Sequence, residues 1–277
     1  MNILFFGSTS FAAQDLINSF SKNHNMYLFS RKKKFKKNYI YFDLNKKNQE
    51  LQKLIKVKKI DYLFFFSSFV PLNEESSTWQ KCKNTNIYGL TKLLLNLKIK
   101  VKKMILASSC SLYDQRNNLN NEESFLKPNS NYSLSKMMQE NILKVYCYKH
   151  NIKFLSYRLG YVYGNKMNNK RLLKKLLLKY KNNKKINIYN NNLNLNLIHT
   201  KDISNLISKT FIKAEGIYNL TDKNIITLET FCKILLGKSI RNIKNKNTFS
   251  SKKFFDEFPK LQIHKIQERI KDFKNEI

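Results

Sequence analysis

A doubly wound α/β fold, a parallel sheet with a smaller C-terminal α/β lobe, is predicted by three features of this sequence. Apolar runs of strand length recur at Ile3 to Phe6, Met26 to Ser30 and Tyr62 to Phe66, too continuous for a sheet with one wet face. Helix-period segments separate them, as in βαβ crossovers. The runs end in small or polar residues, Gly7-Ser8-Thr9-Ser10, Ser30-Arg31 and Ser67-Ser68, at the carboxyl ends where such sheets bind ligands.

The elements follow in order. The first strand, to Phe6, meets Gly7-Ser8-Thr9-Ser10-Phe11-Ala12-Ala13 and then a helical pattern through Leu16, Ile17 and Phe20. Strand, small-residue turn and helix form a phosphate-binding arrangement, because N–H groups at the helix start face the anion. Of a Gly-x-x-Gly-x-x-Gly pattern only Gly7 remains, and a Cβ at Ser10 is expected to crowd the phosphates. The second strand ends at Arg31, where an NAD-preferring site carries an acidic residue for the ribose. Arg31 suits a 2′-phosphate instead; the bland alternative is that residues 31–37 are a solvated basic turn. Tyr39 to Phe42, closed by Asp43-Leu44, reads as a third strand, followed by an amphipathic run through Leu51, Leu54 and Ile55. Ile60 to Ser68 reads as a fourth strand, Asn84 to Leu97 as a helix and Lys103 to Ala107 as a fifth strand.

Beyond Gly164 the chain turns basic and asparagine-rich. An amphipathic helix is expected near Lys170 to Tyr180, a loop over Asn190 to Asn196 and a helix over Ile203 to Phe211. Gly216 to Leu220 and a helix from Leu228 to Leu236 are assigned to the second lobe, and Ile263, Ile266 and Ile270 mark a final helix. The division is 1–164 for the first domain and 165–277 for the lobe, with residues 198–213 packing back on the first domain.

Composition bounds the function. At 277 residues, 42% hydrophobic and 26% charged, the chain can bury one sizeable core. Its longest apolar runs fall short of the roughly 18 residues a membrane span requires. With strand-like residues at the start in place of a signal peptide, a cytoplasmic protein is expected. Cys82, Cys110, Cys147 and Cys232 show no metal-ligand spacing, so reduced thiols and no metal site are expected. Lys and Arg number 52 against 19 acids, a net charge of +33. That charge fits a nucleic-acid or membrane-surface footprint, but the lysines travel with Asn, Ile, Phe and Tyr through nearly every segment, as AT-rich coding imposes. No nucleic-acid motif accompanies them, and no specific nucleic-acid partner is expected.

A tyrosine four residues before a lysine occurs at Tyr88/Lys92, Tyr132/Lys136 and Tyr180/Lys184. Such residues share a helix face, and the cation favours the charged phenol. The first pair lies inside a helix away from any strand end, and the third sits in a basic helix terminus. Tyr132 instead opens a helix soon after the strand that ends near Ser109.

Gly7-x-x-Ser10-x-x-Ala13, Asp43-Leu44, Ser67-Ser68, Asn86-x-x-Gly89, Ser108-Ser109-x-x-x-Tyr113, Pro128-x-x-x-Tyr132-x-x-x-Lys136-x-x-x-Glu140, Arg158-Leu159-Gly160-x-Val162-Tyr163-Gly164 and Ile198-His199-x-x-Asp202 occur in that order. Together they resemble the extended short-chain dehydrogenase/reductases, the NAD-dependent epimerase/dehydratase group that modifies nucleotide-linked sugars, over residues 1 to about 235. The resemblance implies a Rossmann-type domain in which Ser109 holds the substrate oxygen, Tyr132 is the acid or base, and Lys136 lowers the tyrosine pKa and holds the nicotinamide ribose. It implies a cofactor site of Gly7, Thr9, Ser10, Phe11, Arg31, Asp43, Leu44, Ser67, Ser68, Tyr132, Lys136 and Leu159, with Ser109, Tyr161 and Arg171 on the substrate. The cofactor is NADP or NAD, with Arg31 tilting towards NADP; the partner is a nucleotide sugar, and a homodimer is possible.

Departures from the pattern narrow the chemistry. Leu195 stands where many members carry a phosphate-binding arginine, leaving Arg171, Lys170 or Arg241 to substitute. Cys110 and Ser111 occupy the place of the dehydratases' acidic pair, which argues against 4,6-dehydration. The fucose-synthase cysteine position is held by Ser111, so Cys110 reads as a buried thiol and His199 as a packed, orienting residue. The expected function is reduction of a keto-sugar nucleotide for surface polysaccharide synthesis. Alternatives are a nucleotide-sugar epimerase and a non-catalytic NAD(P)H-binding regulator, the latter favoured by the lost glycines and Leu195.

Overall fold

A computed structural model describes residues 1–31, 39–44, 59–97, 99–114, 119–184, 193–237 and 248–275. The amphipathic run at 51–55, residues 32–37 of the basic turn and Arg241 lie outside them. Strands β1 (Asn2–Phe6), β2 (Asn25–Ser30), β3 (Tyr39–Tyr41), β4 (Tyr62–Phe65), β5 (Lys103–Ser109) and β6 (Lys153–Leu159) pair in parallel. With β10 (Gly216–Leu220) they form a seven-stranded sheet of order β10-β6-β5-β4-β1-β2-β3. The order reverses between β1 and β4, the switch point at which a crevice opens beyond the strand ends.

Alternation along the strands divides the core into two layers. Ile3, Phe5, Phe64, Ile105 and Tyr157 face α1 (Gln14–Phe20) and α6 (Thr200–Thr210), which carry Leu16, Ile17, Ile203 and Leu206. Leu4, Phe6, Leu63, Phe65, Met104 and Leu106 face the other layer, with Leu90 and Leu93 of α3 (Gly89–Asn96) and Leu143 of α4 (Asn131–Lys149). Ser130 caps α4 reciprocally with Ser133, which fixes where the helix begins. At the opposite rim, the buried Lys103 ammonium donates to Phe211 O at 3.0 Å, Ile212 O at 2.8 Å and Ala214 O at 2.5 Å, satisfying carbonyls at the end of α6.

The C-terminal lobe packs α5 (Leu172–Lys181), α7 (Leu228–Leu235) and α9 (Ile266–Asn275) around Tyr163, Leu197 and Phe231. Two small sheets complete it, β7 (Tyr161–Tyr163) with β9 (Leu197–His199), and β8 (Asn194–Leu195) with β11 (Ile226–Thr227). Asp202 of α6 takes two hydrogen bonds from Arg269, at 2.9 and 2.6 Å, which ties α9 to the first domain.

Four features differ from the sequence expectation. Gly216–Leu220 joins the main sheet beside β6 rather than the lobe, because Tyr218 and Leu220 have apolar partners there. The helix expected from Asn84 starts earlier, as α2 (Thr78–Cys82), and passes through a π-helical stretch, Lys83–Tyr88, into α3. Within the expected loop at 190–196, Asn194–Leu195 forms β8, because pairing with β11 supplies its hydrogen bonds. Helix α8 (Lys252–Glu257) was not expected; its Phe254 is buried against Tyr157 and Tyr218.

Gly7 has φ +82°, and a Cβ there would lie 2.5 Å from both Phe66 C and Ser67 N. Gly216 also has positive φ, +91°, but open space around it. Gly7→Ala is therefore expected to destabilise by more than about 1 kcal/mol and by clearly more than Gly216→Ala; denaturant melts of the two variants check the ranking.

Candidate active site

Two adjoining cavities open along the carboxyl edge of the sheet. The first, about 720 Å³, runs past the ends of β1, β2 and β4. It is lined by Gly7, Thr9, Ser10, Phe11, Arg31, Asp43, Leu44, Ser67 and Ser68, so nine residues predicted for the cofactor come together. The second, about 510 Å³, lies past β5 and β6 and is lined by Ser109, Tyr132, Lys136, Leu159, Tyr161 and Arg171. Ser10, Phe11, Ser68 and Arg171 border both cavities.

The turn after β1 is held tightly. Gly7 N and Ser8 N both donate to Phe29 O, at 3.0 and 3.2 Å, and Ser10 N donates to Gly7 O at 2.9 Å. A side chain at Gly7 would collide with the loop after β4, so glycine is what lets the turn approach that strand end and leave the crevice open. A crevice of this size at the switch point, floored by a glycine turn, fits a dinucleotide cofactor.

Tyr132 stands in the first turn of α4, on the wall of the second cavity. Burial pushes its phenol up to about 12; Arg171 and a hydrogen bond with Ser109 pull the other way. Ser109 ends β5 in extended backbone, where its Oγ accepts from Ser111 N at 3.1 Å and lies 2.9 Å from Ser111 Oγ. The serine thus caps the following turn and borders the cavity at once.

One turn further, the Lys136 ammonium is buried. It donates to Ala107 O at 2.6 Å, to Ser68 Oγ at 3.1 Å and to Gln139 Oε1. Burial lowers its pKa to about 7, against the field of Glu140. Glu140, another turn on, is paired with Arg158 of β6 at 2.6 Å and accepts from Ser156 Oγ at 2.8 Å. Arg158 reaches Tyr113 OH at 2.5 Å, and that hydroxyl donates to Asn219 Oδ1 at 2.8 Å, so Tyr113 supports the site from beneath.

Arg171 and Lys136 are the cations lining the second cavity, and among its described lining residues there is no Asp or Glu. Arg171 and Leu195 line this cavity together, whereas Lys170 lies outside the lining. Cys110 is buried with its thiol donating to Arg158 O at 3.1 Å, and burial pushes its pKa up, so it stays a thiol. His199 is packed edge-on against Tyr163 and its Nδ1 accepts from Lys201 N at 3.2 Å. Tyr88 is 56% exposed and Tyr180 packs against the core of the lobe, and neither of these tyrosine–lysine pairs lines either cavity.

Asn86, Gln139, Thr248 and Phe249 were not predicted for the site. Asn86 exchanges hydrogen bonds with Phe69, N to Oδ1 at 2.6 Å and Nδ2 to O at 3.1 Å, and donates to Ser135 Oγ at 2.9 Å, which holds the loop after β4 against α4. The π-helical stretch carries this residue, and such stretches favour functional positions. Thr248 and Phe249 reach the second cavity from the C-terminal lobe through a bridge between Phe249 and Asn120.

Removing Glu140 alone, as in Glu140→Leu, leaves Arg158 buried without its counterion. A loss of about 3–5 kcal/mol is expected. The double variant Glu140→Leu/Arg158→Met should recover much of it, which chemical denaturation of wild type and the two variants measures.

The model of the NAD dependent epimerase/dehydratase family matches residues 3–220. The dTDP-D-glucose 4,6-dehydratase of Dictyostelium discoideum is 27% identical over 202 residues, 67% of this chain and 46% of that relative, so the match spans less than half of the relative's length. Among solved structures, the Bacillus cereus UDP-glucuronic acid 4-epimerase with UDP-glucuronic acid and NAD superposes with TM-score 0.84 at 16% identity, covering 100% of this chain and 98% of the other. The UDP-glucose 4-epimerase of Thermotoga maritima gives 0.85 at 16% identity, covering 100% and 98%. The Bacillus anthracis dTDP-glucose 4,6-dehydratase with NAD gives 0.81 at 19%, covering 100% and 96%. A family match over most of the chain, on the parallel sheet and strand-end cavities described above, means that the chain belongs to the NAD-dependent epimerase/dehydratase family.

Proposed function

We propose that the chain is an NAD(P)-dependent oxidoreductase acting on a nucleotide-linked sugar, and that it reduces a keto-sugar nucleotide for surface polysaccharide synthesis. The observation that carries this reading is the meeting of Ser109, Tyr132 and Lys136 on the wall of the 510 Å³ cavity, which shares Ser10, Phe11, Ser68 and Arg171 with the 720 Å³ cavity beside it. NAD(P), when bound, supplies the hydride donor or acceptor. Gly7, Thr9 and Ser10 would hold its phosphates, Ser67, Ser68 and Lys136 its nicotinamide half, and Arg31 or Asp43 the adenosine ribose.

The chain's own residues do the rest. Ser109 orients the sugar oxygen by a hydrogen bond, and Tyr132 transfers the proton at that oxygen. A phenol held near 12 is protonated throughout the neutral range, which favours giving a proton to a keto oxygen over taking one from an alcohol. Arg171 and Lys136 favour an anionic substrate, and the absence of a carboxylate among the described lining residues argues against an elimination that needs a second acid–base pair. Apolar Phe11, Met167 and Leu195 line the same cavity and exclude water from the reaction.

A second reading, nucleotide-sugar epimerisation, is favoured by the names of the similar solved structures, several of them 4-epimerases. The two differ in the fate of the cofactor: an epimerase returns the hydride and keeps its NAD, whereas a reductase exchanges NADPH for NADP each cycle. The regulator reading lacks support from the site, which keeps all three reacting groups together. Among the described residues no helix is long and apolar enough to cross a membrane. The four cysteines are free and buried, consistent with the cytoplasmic location we propose.

Purified protein titrated with NAD, NADP and their reduced forms is expected to bind NADPH exchangeably; carried, recycling NAD would give the epimerase, and binding of neither overturns both. Tyr132→Phe is expected to keep the cofactor and lose turnover about 100- to 10,000-fold. For the wild type, kcat/KM of reduction should fall as pH rises through about 7, where Lys136 gives up its charge, and stay level below it. Stopped-flow loss of NADPH absorbance against pH reads this.

A homodimer is also proposed, with Tyr88, Leu95, Val145 and Tyr148, exposed on α4 and the helical run α2–α3, as the apolar surface a second copy covers. Sedimentation should give twice the 33.0 kDa chain mass, and a monomer at all micromolar concentrations overturns it.

A further inference from the structure

Gln139 follows Lys136 by three residues on α4 and is fully buried. Its amide uses all its hydrogen-bonding capacity. Oε1 accepts from Lys136 Nζ and, at 3.2 Å, from Ser68 Oγ; Nε2 donates to Asn86 O at 3.1 Å and to Ser67 O at 3.4 Å. Because both partners of Nε2 are carbonyl oxygens, the amide can face only one way, with its own oxygen on the ammonium.

Lys136 has three N–H groups and three acceptors. Ala107 O belongs to β5, Ser68 Oγ to the loop after β4, and Gln139 Oε1 alone to the lysine's own helix. We propose that Gln139 is a positioning residue whose carbonyl oxygen keeps Lys136 an ammonium and aims it at the cavity floor between β4 and β5. This rests on the reading of Lys136 as the cation of the active site.

An amide suits this place where neither an apolar group nor a carboxylate does. An apolar side chain would leave one N–H of a buried ammonium without an acceptor. A carboxylate would set a second oxygen against Ser67 O and Asn86 O, both acceptors, and would cancel the charge. The amide accepts the hydrogen bond and leaves the positive charge available to a ligand in the cavity.

The titratable and charged groups on the elements packed round Lys136 include Tyr132 and Glu140 on α4, Cys82 on α2, Cys110 after β5, Arg158 on β6 and Arg171 before α5, and of these the field of Glu140 acts on the ammonium. Glu140 raises the lysine's proton affinity, but its carboxylate is itself paired with Arg158. Burial holds Lys136 near 7, so losing an acceptor changes how much of it is charged at neutral pH.

The test is a titration that needs no turnover: protein labelled with 15N at lysine Nζ, with the Lys136 resonance assigned by Lys136→Met, followed against pH in wild type, Gln139→Met, Gln139→Glu and Ser68→Ala. The Lys136 midpoint is expected to drop by at least about one unit in Gln139→Met. It should rise by about 1–3 units in Gln139→Glu. Ser68→Ala, the mildest change, should lower it by less than Gln139→Met. Midpoints that coincide in wild type and both Gln139 variants overturn the proposal, as does a larger drop for Ser68→Ala, which would make the serine the controlling acceptor. Should one Gln139 variant fail to fold, the other together with Ser68→Ala decides the question. The alkaline limb of kcat/KM should move in the same order. A wild type without turnover whose Lys136 midpoints still spread in this order refutes the enzyme reading and leaves the placement of the ammonium by Gln139 standing.

Discussion

Glu140 and Arg158 bury opposite charges between helix α4 and strand β6, and the placement of Tyr132 and Lys136 depends on that pair. Removing both ions from water costs several kcal/mol apiece, which their attraction and hydrogen bonds must offset, so the pair is not a plain source of stability. Its effect is to fix one register of α4 against the sheet. Ser156 bonds the same carboxylate, Arg158 donates to Tyr113 OH, and that hydroxyl is in turn held by Asn219, which resists rotation or sliding of the helix. Residues four apart form a ladder along one face. Glu140 seated on β6 therefore sets Lys136 against the ends of β4 and β5, and Tyr132 on the cavity wall above.

The ends of those strands are built from small residues for the same geometric reason. Ala107, Ser108 and Ser109 on β5 and Ser67 and Ser68 after β4 leave volume beyond the sheet, and the oxygens of Ala107, Ser109, Ser67 and Ser68 accept hydrogen bonds without adding charge. The positive charge in the cavity, on Lys136 and Arg171, is thus not cancelled by any described lining carboxylate. A chain of net charge +33 adds a long-range field of the same sign, so anions are drawn to the crevice whatever the origin of that composition.

Legibility in the sequence followed the range of the contacts. Strands β1, β2, β4 and β5 were readable because burial on both faces writes a continuous apolar run, and the residues that line the crevice were readable because parallel strands end in turns at one edge of the sheet. Tyr132 stood apart from Tyr88 and Tyr180 once each pair was placed relative to a strand end. The place of Gly216–Leu220 was not readable, since five residues specify a strand but not which sheet will hold it. Helix α8 is too short for its period to register, and Thr248 and Phe249 follow a polar stretch and reach the cavity only through Asn120. Gln139 looks like any polar helical residue; its meaning comes from Ser67, Ser68 and Asn86, which lie 53 to 72 positions away.

Burial acts on the two central groups in opposite senses, raising the phenol to about 12 and lowering the ammonium to about 7. Both shifts favour the neutral form, so the dry site by itself would hold a protonated tyrosine beside an uncharged amine. Hydrogen bonding opposes this unequally. Lys136 has three acceptors that recover part of its lost hydration, while Tyr132 is helped by Ser109 and Arg171 alone. The ammonium is therefore the group whose state responds to small changes in its surroundings near neutral pH, and the phenol is the group whose proton is reliably present. In the reading proposed above, such an arrangement favours delivery of a proton to a carbonyl oxygen, whereas taking one from an alcohol would require the lysine to stay charged first.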